Sequence, residues 1–253
     1  MSSVQCEIRD SAARLVIDRP QAGNALQGQD VDELAGHVRA CLRDPAVRAI
    51  VIRGAGTRFF CTGGDIRELA GGLPDIGLHI RKWHELVDMI EAAEKPVIAA
   101  LNGHAVGGGL ELALACHHRL AAAHARVGLP ELKVGLFPSA GGVRRLTQLI
   151  GASAALELVL AADLVDAAHA QRLGIVDGVC DGPALDARVD TLLQGLCAHE
   201  PNAVRAVLAC ARTAATGAYS VEMEIALLRE CYQTPRNRAL LQAFLDGLSA
   251  TRP

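Results

Sequence analysis

Two spacings alternate along the first two-thirds of the chain. Short apolar or alternating runs read as strands: Val4 to Ile8 and Leu15 to Asp18, which suggest an opening antiparallel pair, then Val47 to Ile52, Val97 to Ala100, Arg119 to Ala123 and Ile175 to Val179. Between them the apolar residues fall at helical spacing. Val31, Leu34, Ala35, Val38, Cys41 and Leu42 mark one helix, ended by Asp44-Pro45, and Ile80, Trp83, Val87 and Ile90 mark one face of another. A short helix from Ile66 to Ala70 follows Asp65 as its N-cap, and Gly71-Gly72-Leu73-Pro74 breaks it within a loop that has the makeup of a mobile flap. Further helices are expected from Leu110 to Cys116, through Ile150, and then nearly without interruption: Ala154 to Ala161, Ala167 to Leu173, Pro183 to Ala198, Pro201 to Thr213, Ser220 to Tyr232 and Pro235 to Leu248. The pattern is α/β, with a helical last third and neither low-complexity segments nor tight repeats.

The stretch from Lys95 to Cys116, KPVIAALNGHAVGGGLELALAC, concentrates the unusual features. A buried-looking strand leads into Gly107, Gly108 and Gly109, and the apolar helix behind them carries a single formal charge, Glu111. A carboxylate left unpaired in apolar surroundings costs several kcal/mol, roughly. Without Cβ atoms the glycines let a ligand touch the backbone, and the first amides of a helix have no intrahelical acceptor. Such a turn suits a developing negative oxygen. One reading is an oxyanion site at Gly108 with a carboxylate one helical step away. The other is a glycine-rich turn with an exposed Glu at a helix N-terminus, where acidic residues are favoured anyway.

Composition narrows the classes. The 253 residues can bury a substantial core, and 51% hydrophobic content fits a globular enzyme. A net charge of −3 gives no basic field for nucleic acid or an acidic membrane. The eight cysteines form no CxxC pair and no zinc spacing, which points to reduced, mostly buried thiols in the cytosol. MSSVQCEIRD lacks a basic segment followed by an apolar core, so no secretory signal is expected, and no stretch makes a convincing membrane helix.

A second strand-loop-helix unit, RGAGTRFFCTGGDIREL, places Gly63 and Gly64 at a helix N-terminus, and Glu131 follows a proline downstream. Stabilising an enolate needs two amide donors on one oxygen with acid and base groups at the adjacent carbons, and that set is present. Other motifs fail: Gly107 to Leu112 lacks the third glycine of a dinucleotide fingerprint, Ser139 is no nucleophile elbow, and no phosphate-binding GxxxxGK[ST] occurs. Cys61 reads as a small buried filler, Trp83 as packing or pocket wall, and His117, His118 and His124 as a helix end followed by a strand rather than metal ligands.

RPQAGNAL, FFCTGGDIREL, KPVIAALNGHAVGGGLELALAC and VGLPELKVGLFPSAGGVRRL together resemble the enoyl-CoA hydratase/isomerase (crotonase) family, from about Val4 to Phe244. The resemblance implies a spiral of repeated strand-strand-helix units over residues 1–195, and a C-terminal helical region over 196–253 that trimerises or forms a lid. It also implies homotrimers or homohexamers and an acyl-CoA thioester substrate, coenzyme A being part of the substrate and no metal or other cofactor being needed. Carried over by position, Gly64 and Gly108 would supply the oxyanion amides, Glu111 and Glu131 the catalytic acids, and Ala22, Thr62, Gly63, Asp65, Ile66, Gly107 and Pro138 the substrate site. On its own pattern Asp65 reads as a helix cap. Gln21 stands where relatives often have Lys, and Arg238-Ala239-Leu240 and the tail DGLSATRP depart from the usual C-terminus. The glutamate pair implies syn hydration of a trans-2-enoyl-CoA. Double-bond isomerisation with Glu131 as sole base, a silent acyl-CoA-binding subunit and, more distantly, a nicotinamide oxidoreductase are the rivals.

Overall fold

The computed structural model describes residues 2–250, with side chains to Asp246, so the last residues of the tail stretch singled out above lie outside the described residues. Ten strands and eleven α-helices follow one another among them. The large sheet has the order β1 (Val4–Arg9), β2 (Ala12–Ile17), β3 (Ala49–Gly54), β5 (Val97–Leu101), β7 (His118–Ala122) and β10 (Gly178–Cys180). The β1–β2 pair is antiparallel, as the sequence suggested, and every later pairing in this sheet is parallel.

Parallel strands are covered on both faces, and this sheet shows why its strands are so uniformly apolar. Ile50 and Ile52 of β3 point into the main core with Leu15, Ile17, Val97, Ala99 and Leu101. Ala49 and Val51, on the other face, pack with Ile98, Ala100, Leu120 and Ala122 against Leu185, Val189 and Leu193 of α8 (Leu185–Ala198). The main core is closed by α1 (Gly28–Arg43) and α3 (Ile76–Glu91), whose buried residues Val31, Leu34, Val38, Trp83, Val87 and Ile90 are those at helical spacing.

A second, smaller sheet was not anticipated. It contains β4 (Phe59–Cys61), β6 (His104–Val106), β8 (Arg126–Gly128) and β9 (Val165–Asp166); the first three are parallel and β9 is antiparallel to β8. Each of its parallel strands follows directly on a strand of the large sheet and precedes helical structure. β3 and β4 lead to α2 (Ile66–Ala70), β5 and β6 to α4 (Gly108–Ala115), and β7 and β8 to a 3-10 turn at Glu131–Val134 and then α5 (Gly142–Ile150). This is the strand-strand-helix repeat that the resemblance implied.

Two buried asparagines fix the first of these crossings. Asn102 accepts from Gly54 N–H at 2.9 Å and donates to the Gly56 carbonyl, while Asn24 donates to the carbonyls of Ala55 and Phe59. Downstream come α6 (Ala152–Ala161), α7 (Ala167–Leu173), α8, α9 (Pro201–Thr216), α10 (Val221–Gln233) and α11 (Pro235–Ala250). The strand expected at Ile175 to Val179 begins at Gly178; Ile175 and Val176 are buried by packing into the core from a turn after α7. Among the described residues no helix is long and apolar enough to cross a membrane.

Candidate active site

Because β4, β6 and β8 are parallel, their C-terminal ends emerge at one edge, and each ends in a residue run singled out from the sequence. β4 runs into Thr62-Gly63-Gly64, β6 into Gly107-Gly108, and β8 into Leu129-Pro130-Glu131. The close approach requires glycine. Gly63 has φ +88°, and a Cβ on it would lie 2.6 Å from Gly108 N. Gly107 has φ +55°, and a Cβ there would lie 2.9 Å from Glu131 Oε1. An L side chain rarely adopts either conformation, and the space is already taken.

The two turns therefore lie side by side, with Gly64 N 3.5 Å from where a Gly108 Cβ would be. Gly64 is tied by its neighbours: Leu26 N–H donates to the Gly63 carbonyl and Asp65 N–H to the Leu26 carbonyl. Gly108 is the first residue of α4. Neither the Gly64 nor the Gly108 N–H donates to an acceptor among the described residues, so both remain free to bind an oxygen.

Glu111 is buried, 3% exposed, and its Oε1 accepts N–H bonds from Ala140 and Gly142, each at 2.8 Å. The exposed-Glu reading of the glycine turn is thereby excluded. Burial pushes its proton affinity up, to a pKa of about 7 from 4.5; the Gly142 amide opposes the rise, the charge of Glu131 adds to it, and the Ala140 amide and Arg145 oppose it again. Glu131 is likewise raised by burial, and its Oε2 is buried with no hydrogen-bond partner. Two carboxyl groups close enough to feel each other's charge share their ionisation, which leaves an acid and a base available together near neutral pH.

The remaining candidates divide. Gly63 and Gly107 shape the turns themselves. Ala22, Thr62, Gly64, Asp65 and Ile66 line one cavity of about 300 Å³ with Gln21, Ala25 and Arg67. Asp65 is indeed the N-cap of α2, accepting from Arg67 N–H, and is also paired with Arg19 at 3.2 Å. Pro138 is buried at the entry to the turn that holds Glu111. A larger cavity of about 740 Å³, between β5, β7 and helices α8 to α11, contains none of the candidate site residues and lies away from the three turns; its size alone does not make it the site.

Cys61 is fully buried, its thiol pushed up to about 12 by burial, so it is an inert filler beside the first turn. Trp83 is packing, buried in the main core with its ring 3.3 Å from where a Gly108 Cβ would be. His117 accepts from Val97 N–H, His118 faces Asp177, and His124 bonds the Thr57 carbonyl. Sequence reasoning missed Ala140, Gly142 and Arg145. The Gly141-Gly142 pair was the available signal: a Cβ at Gly142 would lie 2.7 Å from Glu111 Oε1, so that glycine is required by contact and not by its own φ.

Repeated strand-strand-helix units with paired glycine turns and two acids, one buried and one half-buried, define a class. Residues 7–250 match the family enoyl-CoA hydratase/isomerase, and the chain belongs to that family. It is 34% identical to a probable enoyl-CoA hydratase of Bacillus subtilis (strain 168), over 97% of this chain and 96% of that protein. It is 36% identical to a crotonyl-CoA hydratase of Syntrophomonas wolfei, over 96% and 95%. The crystal structure of an enoyl-CoA hydratase from Bacillus anthracis superposes with a TM-score of 0.90 at 27% identity, covering 97% of this chain and 96% of that one.

Proposed function

We propose that the protein is a hydro-lyase that adds water reversibly, in syn fashion, across the double bond of a trans-2-enoyl-CoA to give the 3-hydroxyacyl-CoA. The observation that carries this is the buried Glu111 with the half-buried Glu131, whose Oε2 has no partner, at the edge from which the free Gly64 and Gly108 amides emerge. The thioester oxygen accepts from those two amides, and negative charge that builds there as C3 is attacked is stabilised by fixed dipoles that need no reorganisation. A water gripped between the two carboxyl groups gives a proton to the ionised member as its oxygen bonds to C3, and the protonated member delivers its proton to C2 of the enolate-like state. One proton enters the pair and one leaves, so the site returns to its starting ionisation.

The chemistry draws only on these groups, with no metal or redox cofactor, and coenzyme A enters as part of the substrate. Ala22, Thr62, Asp65 and Ile66, on the wall of the cavity beside Gly64, are in place to receive the thioester arm. Exposed apolar residues on α9 to α11, including Val207, Leu228, Leu241 and Phe244, support the reading of residues 196–253 as a region that packs against further copies in a trimer or hexamer. The eight free thiols support a reducing compartment such as the cytosol.

Loss of the enoyl absorbance on Glu111→Gln and Glu131→Gln tests the assignment: each variant is expected to lose at least about a thousandfold in kcat while CoA binding persists. A rate unchanged in either variant removes that residue from the mechanism. Uptake of labelled solvent oxygen separates hydration from isomerisation, which takes up none, and acyl-CoA binding without turnover at any chain length would instead mark a silent subunit.

A further inference from the structure

The turn that holds Glu111 is itself held from the opposite side. Ala140 donates its N–H to Glu111, and its carbonyl accepts from Arg145 Nη1 at 2.8 Å, so the residue is held through both of its main-chain polar groups. Arg145 lies in α5 and is 4% exposed. Its Nη2 reaches Asp88 at 2.6 Å and Glu91 at 2.8 Å, and its Nε reaches Glu91 at 3.2 Å. Both acids belong to α3. His84, on the same helix, bonds the Ser139 carbonyl at 2.9 Å, and Trp83 backs the Gly108 turn. Helix α3 thus touches both halves of the site.

A buried guanidinium answered by two carboxylates is a poor device for stability, because its desolvation offsets what the pairing returns and apolar packing often serves as well. Its rigid fork is suited to direction instead. We infer that Arg145 is a positioning residue for Glu111: by tying the Ala140 carbonyl to α3 it fixes the peptide unit between the Ala140 and Gly142 amides, and so sets the carboxyl group against the Gly64–Gly108 turns. This rests on the proposed role of Glu111.

The charged surroundings give the inference a readout beyond stability. Glu111 is the one charged residue of α4; it faces Glu131 from the 3-10 turn and Arg145 from α5. Arg145 in turn faces Asp88 and Glu91, which Arg144 shares, with His84 3.8 Å from Asp88 and Cys116 at the end of α4 within its field. Removing the guanidinium withdraws a positive charge and slackens two N–H donors, and both changes favour protonated Glu111.

Arg145→Met and Arg145→Lys, followed by hydration of a short trans-2-enoyl-CoA between about pH 5 and 9 and by a 13C titration of the Glu111 carboxyl, test this. Arg145→Met is expected to lower kcat roughly tenfold or more with KM within about twofold, and to move both limbs of the pH profile and the carboxyl midpoint up by about one unit. Arg145→Lys keeps the charge without the fork, so it is expected to lower kcat severalfold with the profile nearly in place. A folded Arg145→Met with unaltered profile and midpoint overturns the inference; should that variant not fold, an unaltered kcat in Arg145→Lys overturns it. Absence of hydration by the wild type would strike the proposed function instead, and the carboxyl midpoint would still decide the part played by Arg145.

Discussion

The two sheets divide the labour of the molecule. Strands β2, β3 and β5 of the large sheet are five or six residues long and buried on both faces, and their side chains fill two apolar layers. Strands β4, β6 and β8 of the small one are three residues long, and what matters in them is where they stop. Burial of apolar area stabilises in proportion to that area, and is indifferent to a shift of a few tenths of an ångström. An oxyanion site is not. The contrast is visible in composition: alanine, valine, isoleucine and leucine all serve along the strands of the large sheet, whereas the turns after β4 and β6 need glycine at Gly63 and Gly107.

Four measurements break or sharpen that contrast. Ile52→Ala, in the large sheet, is expected to cost about 2–5 kcal/mol of folding stability by opening a cavity, read in urea unfolding, with the pH profile of turnover unaltered. Gly142→Ala puts a methyl 2.7 Å from Glu111 Oε1, and is expected to lower kcat/KM roughly a hundredfold through a displacement of under about 1 Å, with CoA binding retained. Glu111→Gln is expected to stabilise the fold on the order of 1–3 kcal/mol at pH 8. Between 4.5 and about 7 the unfolded chain releases a proton that folded Glu111 keeps, so the wild type loses stability as pH rises through that window. The Tm advantage of the variant should therefore vanish below the window and level off above it. Gly36→Ala, in the exposed middle of α1 with nothing within 4 Å of the new methyl, is expected to stabilise by roughly 0.5–1 kcal/mol and leave turnover alone.

The same division decides what the sequence made legible. Long apolar strands and helical faces announce themselves by period, and every strand of the large sheet except β10 was placed to within a few residues. Phe59–Cys61, His104–Val106 and Arg126–Gly128 are too short to display an alternation, and only their pairing with one another makes them strands. Glu111 stood out because it is a lone charge in an apolar helix. Arg145 did not, since it sits beside Arg144, which is exposed and pairs with the same Glu91. Nothing in the two letters separates the twin that faces solvent from the one that faces the site. The backbone donors of Ala140 and Gly142 are hard to read for a further reason: a main-chain amide has no side-chain signature, and only the Gly141-Gly142 pair marks the turn that carries them.

The three turns of the site leave neighbouring strands that are separated in sequence by a full strand-strand-helix unit. Away from the glycines where they meet, each turn sits on a strand that keeps its own pairing whatever the other two turns contain. A lineage could trade the acid after β8, or the loop after β4, one at a time, while the carbonyl grip proposed for the other turns stays in service.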